Sequence, residues 1–135
     1  GRLVKSLGDG FLLEFEDTTQ AVRCMFAIHG LFHEDNRGRA EDSWMWLRMG
    51  VHVADVLADG LDVYGAGVNL AARLAGLAAP GGSVASVRAR DCLVPELDAD
   101  IADLGDCWVR HLPEPVRAFA IAPSDPAQRR RPYLS

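Results

Sequence analysis

DVYGAGVNLAARLAGLAAPGGSV, residues 62–84, is the stretch from which the fold of the whole chain can be worked outward. From Gly67 to Ala78 its residues are small or aliphatic apart from Asn69 and Arg73, and no proline interrupts them. The spacing predicts a helix over 67–78. Pro80-Gly81-Gly82 then ends it, because proline lacks the amide that helix continuation needs and glycine favours the turn beyond a helix end. Ser83-Val84-Ala85-Ser86 starts a short strand. Asn69 and Arg73 stand four residues apart, so they project from one helix face, one turn above the other. A neutral donor beside a cation can hold an anion; the same two residues also suit an ordinary polar stripe, the reading that spacing alone favours.

Upstream, WMWLRMGVHVADVL (44–57) alternates Leu47, Met49, Val51 and Val53 with Arg48, Gly50 and His52, which predicts one long strand. His52 is read as a strand residue facing a polar surface or a helix. DNRGRAEDS (35–43) is a polar loop before it. Ala21, Met25, Ile28 and Phe32 recur at helical spacing, and Asp17 with Gln20 makes a capping-box-like start, so a helix is predicted over 18–33. His29 and His33 lie four apart on it, a spacing that suits a metal, yet no third ligand stands beside them. Residues 2–6 and 11–15 read as two strands of a hairpin joined at Gly8-Asp9-Gly10. Asp-Gly tolerates the positive φ of tight turns, so local rules make Asp9 a turn residue. Downstream, a short helix over 86–93 precedes strands near 101–104, 107–110 and 116–122. This order predicts an α+β sandwich with helices on one face of the sheet. The domain covers 1–122, and 123–135 is a proline-rich, basic tail or linker.

A chain of 135 residues fits one domain, and 49% hydrophobic with 24% charged residues is ordinary for a globular one. A net charge of −5 argues against nucleic acid as partner. Cys24, Cys92 and Cys107 are odd in number and form no CxxC pair, which suits a reduced, cytoplasmic setting. No apolar run approaches the ~20 residues of a membrane span. A first residue Gly1 rather than methionine predicts a piece of something longer. The glycines match no GxxxxGK[ST] loop, and GAGVNLA lacks the third glycine of a dinucleotide fingerprint. Ser6, Ser83 and Ser86 lack the setting of a GxSxG nucleophile.

Four blocks, GRLVKSLGDGFLLEF, LRMGVHVADVL, DVYGAGVNLAARLAGLAAPGGSV and DLGDCWVRHLPEPVRAFAI, resemble successive blocks of the class III nucleotidyl cyclases, the adenylate and guanylate cyclase catalytic domains. They stand in family order and together span nearly the whole chain. The resemblance implies a ferredoxin-like βαββαβ core, an α/β sandwich that pairs head to tail as a homodimer. It implies ATP at the shared interface, converted to cyclic AMP and pyrophosphate with Mg²⁺ or Mn²⁺ as cofactor. Asp9 falls on a metal-binding aspartate. Lys5 falls on the lysine that reads the purine edge and Asp62 on its acidic partner, a pair whose donor and acceptor suit adenine better than guanine. Asn69 is implied to orient the ribose and Arg73 to stabilise the transition state, both from the protomer opposite Lys5 and Asp9. Arg110 replaces a lysine of the closing block implied to bind phosphate.

The chain also departs from the family. Its first metal aspartate belongs to a strand upstream of Lys5, a position before Gly1, and Glu14 and Asp17 are poor substitutes. The fragment by itself is therefore expected to be inactive. Ala54 replaces a frequent glycine, and Ala66 a frequent acidic or polar residue. The competing expectation is a non-catalytic, cyclase-like module for nucleotide binding or dimerisation.

Overall fold

The computed structural model describes residues 2–6, 11–53, 66–94, 97–109 and 113–124. Strands β1 (Arg2–Ser6) and β2 (Phe11–Glu14) form the predicted antiparallel hairpin, with Ser6 opposite Phe11. The joining residues, Asp9 among them, lie outside the described residues.

Helix α1 spans Thr18–Arg37. The Asp17 carboxylate accepts a hydrogen bond from the Thr19 amide at 2.9 Å and caps its first turn. The helix runs a turn beyond the predicted end at 33, through residues whose polarity reads as loop. A tertiary contact explains the extension. Buried Asn36 donates its amide to the Met45 carbonyl at 2.7 Å and accepts from the Met45 amide at 2.9 Å. On the exposed side Arg37 pairs with Glu34, and Arg39 with Asp35.

Of the predicted strand 44–57, the described part, 44–53, pairs only at Met49–Val51, strand β3. Residues 44–48 satisfy their backbone elsewhere: Met45 through Asn36, and the Leu47 carbonyl through the Gly81 amide at 2.7 Å. Residues 54–57 lie outside the described residues. Helix α2 (Ala66–Leu77) and strand β4 (Ser83–Ser86) fall within a residue of their predicted places. Ser86 Oγ accepts from the Ala89 amide and caps the short helix α3 (Val87–Asp91). Strand β5 (Ala99–Cys107) runs through the gap predicted between 104 and 107 and ends at Cys107, so Trp108 and Val109, predicted as strand, lie beyond it, and residue 110 lies outside the described residues. Gly105, within that gap, takes φ +74° at a register shift against strand β6 (Val116–Pro123). Glycine allows that left-handed residue, so the strand bulges and continues.

These strands form a sheet in the order β3-β4-β6-β5, β3 parallel to β4 and the other pairs antiparallel. All four residues of β4 are buried. Successive strand side chains point to opposite faces, so both faces of β4 must be covered. On one face Ala85 and Ile121 pack with Val22, Met25 and Phe26 of α1 and Ala89 of α3. On the other, Val84 and Ala118 pack with Leu74 and Ala78 of α2. Helices thus lie on both faces, not on the one that the element order suggested. Each helix has a single apolar stripe, and two apolar sheet faces need two sets of helices.

His29 reaches from α1 to the start of β4, where Nε2 lies 2.8 Å from Ser83 Oγ. Its Nδ1 is buried without a hydrogen-bond partner. Burial holds the imidazole pKa below its ordinary value, opposed only in part by the Gly82 carbonyl. The unfolded chain therefore binds this proton more readily, and His29 costs the fold stability as pH falls below about 6.5. The expected result is a thermal midpoint that drops between pH 7.5 and 5.5 by more in the wild type than in His29→Gln; equal drops would rule out His29 as the titrating group.

Candidate active site

Helix α2 is amphipathic around a narrow apolar stripe. Leu70, Leu74, Leu77 and Ala78 turn toward Val84, Cys107, Val116 and Ala118. At 100° per residue, Asn69, Ala72 and Gly76 then fall on the side away from that core, and Arg73 on its flank between them and Leu77. Asn69 is exposed and Arg73 half-buried. Neither makes a hydrogen bond or ion pair within the described residues. Arg37, Arg39, Arg90 and Arg117 each pair with a carboxylate; Arg23 and Arg48, like Arg73, do not among the described residues, but they are exposed whereas Arg73 is half-buried. Arg90 and Arg117 also lie over the Phe119 ring, at 4.5 and 5.7 Å from its centre. The hydrogen bond from Arg117 holds the Asp103 carboxyl below its ordinary pKa, so that pair is already matched. Arg73 offers an unmatched guanidinium, five donors in a planar fork, one turn from a side-chain amide.

The structure thus brings two of the expected site residues onto one stripe. Lys5 lies on β1 opposite Leu12. Asp9, Asp62 and Arg110 lie outside the described residues, as do Ala54 and the DVYG turn. Among the described residues no group of three histidines, cysteines or carboxylates could hold a metal, and His29 and His33 remain without a third ligand. His52, just past β3, places Nδ1 2.9 Å from Ser86 Oγ, which fits a structural role. Among the described residues no helix is long and apolar enough to cross a membrane.

Sequence reading passed over Gly50 as a placeholder in an alternating strand. The seat of α2 on the sheet is at this residue. A Cβ built on Gly50 would fall far inside contact distance of the Ala71 carbonyl oxygen, 2.5 Å from the Ala75 nitrogen and 3.0 Å from Leu74 Cβ. An isolated glycine within a strand pattern is a signal for such close backbone approach.

No family model matches the chain. Among curated proteins it is 36% identical over 128 residues to "Putative adenylate cyclase 3" of Rhizobium meliloti (strain 1021), covering 95% of this chain and 22% of that protein. It is also 36% identical over 121 residues to an uncharacterized protein of Mycobacterium tuberculosis (strain ATCC 25618 / H37Rv), covering 90% of this chain and 30% of the relative. The chain thus spans less than a third of the length of these relatives. Among solved structures, an adenylate/guanylate cyclase/hydrolase from Silicibacter pomeroyi aligns with TM-score 0.76 and 26% identity, over 90% of this chain and 72% of that one. An adenylate cyclase from Trypanosoma brucei, solved in its monomeric state, aligns with TM-score 0.57 and 25% identity, over 88% and 70%.

Fold, sequence blocks and these likenesses agree on one class: in sequence and in fold the chain is similar to adenylate and guanylate cyclase catalytic domains. Its mixed α+β architecture is that of the cyclase catalytic domain.

Proposed function

We propose that this domain is part of an adenylate cyclase that converts ATP to 3′,5′-cyclic AMP and pyrophosphate at an interface between two copies of the chain. The observation that carries the reading is the Asn69–Arg73 stripe along the flank of α2, which has no hydrogen-bond or ion-pair partner among the described residues. A half-buried guanidinium with no carboxylate partner among the described residues is suited to an anion that arrives from elsewhere, and the triphosphate is such an anion.

In the reaction the ribose 3′-oxygen bonds to the α-phosphorus, the bond from that phosphorus to the bridging oxygen breaks, and pyrophosphate leaves. The hydroxyl proton is released. Arg73 meets the charge that builds on the phosphoryl oxygens, where stabilisation acts on the transition state more than on bound substrate. Asn69, one turn earlier, holds the ribose so that its hydroxyl lies in line. Lys5 donates to the adenine ring nitrogen while Asp62 accepts from the exocyclic amine. Arg110 adds positive charge at the phosphates. Asp9 is the carboxylate assigned to Mg²⁺ or Mn²⁺, hard ions that take oxygen ligands and would lower a hydroxyl pKa and neutralise triphosphate. The free thiols Cys24, Cys92 and Cys107 accord with a cytoplasmic setting.

The second reading, a non-catalytic nucleotide-binding or dimerisation module, draws on the lack of a three-ligand group among the described residues. Assay of the complete protein with ATP and with GTP, each with Mg²⁺ or Mn²⁺, separates the two. Cyclic AMP from ATP is expected; binding without turnover of either nucleotide would favour the module. Mixing Asp9→Ala and Asn69→Ala subunits, each inactive alone, is expected to restore up to a quarter of wild-type activity, because random pairing leaves one intact site in half of the dimers. No recovery would argue against half-sites from two copies.

A further inference from the structure

The contact at Gly50 bears directly on Arg73. In an α-helix the amide of residue 75 donates to the carbonyl of residue 71. These are the backbone atoms that a Gly50 side chain would strike. Residues 71 and 75 bracket Arg73, so the turn resting on β3 is the turn that carries the guanidinium. Leu74, within that turn, is fully buried and fastens it to Val84 and Ala118. From these contacts we infer that Gly50 is a positioning residue: the bare backbone of β3 lets α2 seat on the Ala71–Ala75 hydrogen bond and so sets the depth at which Arg73 stands. A methyl group there must lift the turn or part its hydrogen bond, because backbone atoms, unlike a flexible side-chain end, cannot swing away. The consequence falls on the group that meets the transition state more than on nucleotide binding. This role rests on the catalytic reading above.

Gly76 provides the control. It lies on the outer side of the same helix, where an added Cβ meets nothing within 4 Å. Alanine there removes backbone freedom from the unfolded chain and is expected to raise the thermal midpoint by roughly 2–4 °C. The experiment compares wild type, Gly50→Ala, Gly76→Ala and the double variant in the complete protein. It reads thermal midpoint, kcat, KM for ATP and amide exchange along α2. The expected result is that Gly76→Ala restores stability to Gly50→Ala while kcat stays at least tenfold below that of Gly76→Ala alone. KM should remain within threefold, and the Ala75 amide should exchange at least tenfold faster than in wild type, out of step with the rest of α2. Turnover that returns with the midpoint, or uniform exchange along the helix, would overturn the positioning role. If Gly50→Ala does not fold in either background, Ala71→Val presses on the same seat from the helix side. A fall in kcat at unchanged KM would then support the inference, and an unchanged kcat would overturn it. A wild-type protein that makes no cyclic nucleotide defeats the catalytic reading instead, while the exchange measurement still reports on the seat.

Discussion

Arg73→Ala in the complete protein is expected to lower turnover of ATP by about three orders of magnitude, with KM changed little and the thermal midpoint nearly unmoved. The two halves of this result have separate causes. Turnover falls because the guanidinium is placed for charge that is greatest in the transition state, and alanine leaves that charge unmet. Stability holds because Arg73 has no hydrogen bond or ion pair to lose among the described residues. Arg73→Lys should recover only part of the rate, since an ammonium keeps the charge but not the planar fork. Steady-state kinetics beside a thermal melt test both halves. A rate within tenfold of wild type would remove Arg73 from the chemistry, and a large fall in the midpoint would make it a structural residue.

Leu74→Ala, one residue along, is expected to show the reverse pattern. Leu74 is 0% exposed and packs with Ala78, Val84 and Ala118, small neighbours that cannot close over a void. Truncation of a buried leucine costs about 3–4 kcal/mol when the site does not collapse. Against a total of about 5–15 kcal/mol for a domain, that is a large share. Urea unfolding should show the loss, and the thermal midpoint should fall by roughly 10 °C. Ile101→Ala, at a β5 position 43% exposed, is the matched control and should cost far less. A loss below about 1 kcal/mol for Leu74 would mean that the α2 core repacks freely, and it would weaken the claim that α2 has a fixed depth.

Adjacent residues of one helix are thus expected to carry opposite duties, and their legibility in sequence differs. The helix at 66–77, to within a residue, the turn that ends it, the strand at 83–86 and the two hairpin strands were readable because each depends on contiguous residues. Helical and strand periods, proline's missing amide and glycine's freedom act over a few positions. The Asn69–Arg73 pairing was readable for the same reason, since four residues is one helical turn. Its use was not: spacing alone favours an ordinary polar stripe, with an anion site as the alternative. That choice depends on which arginines find carboxylates in the fold.

What the amino-acid order determined by itself was the set of local elements and the two polar residues on one stripe of α2. Tertiary structure alone decided the rest. Asn36 lengthens α1 because the backbone of Met45, nine residues on, satisfies its amide. Before Met49 the run 44–57 pairs with no strand, because Asn36 and the turn after α2 take up the backbone groups of Met45 and Leu47. Gly50 became a seat only when Ala71 and Ala75 arrived against it. In each case a hydrogen bond or a close approach needs a second segment distant in the chain. Local periodicity cannot say which segment that will be, because the partner is chosen by packing of the whole sheet and not by its neighbours in sequence.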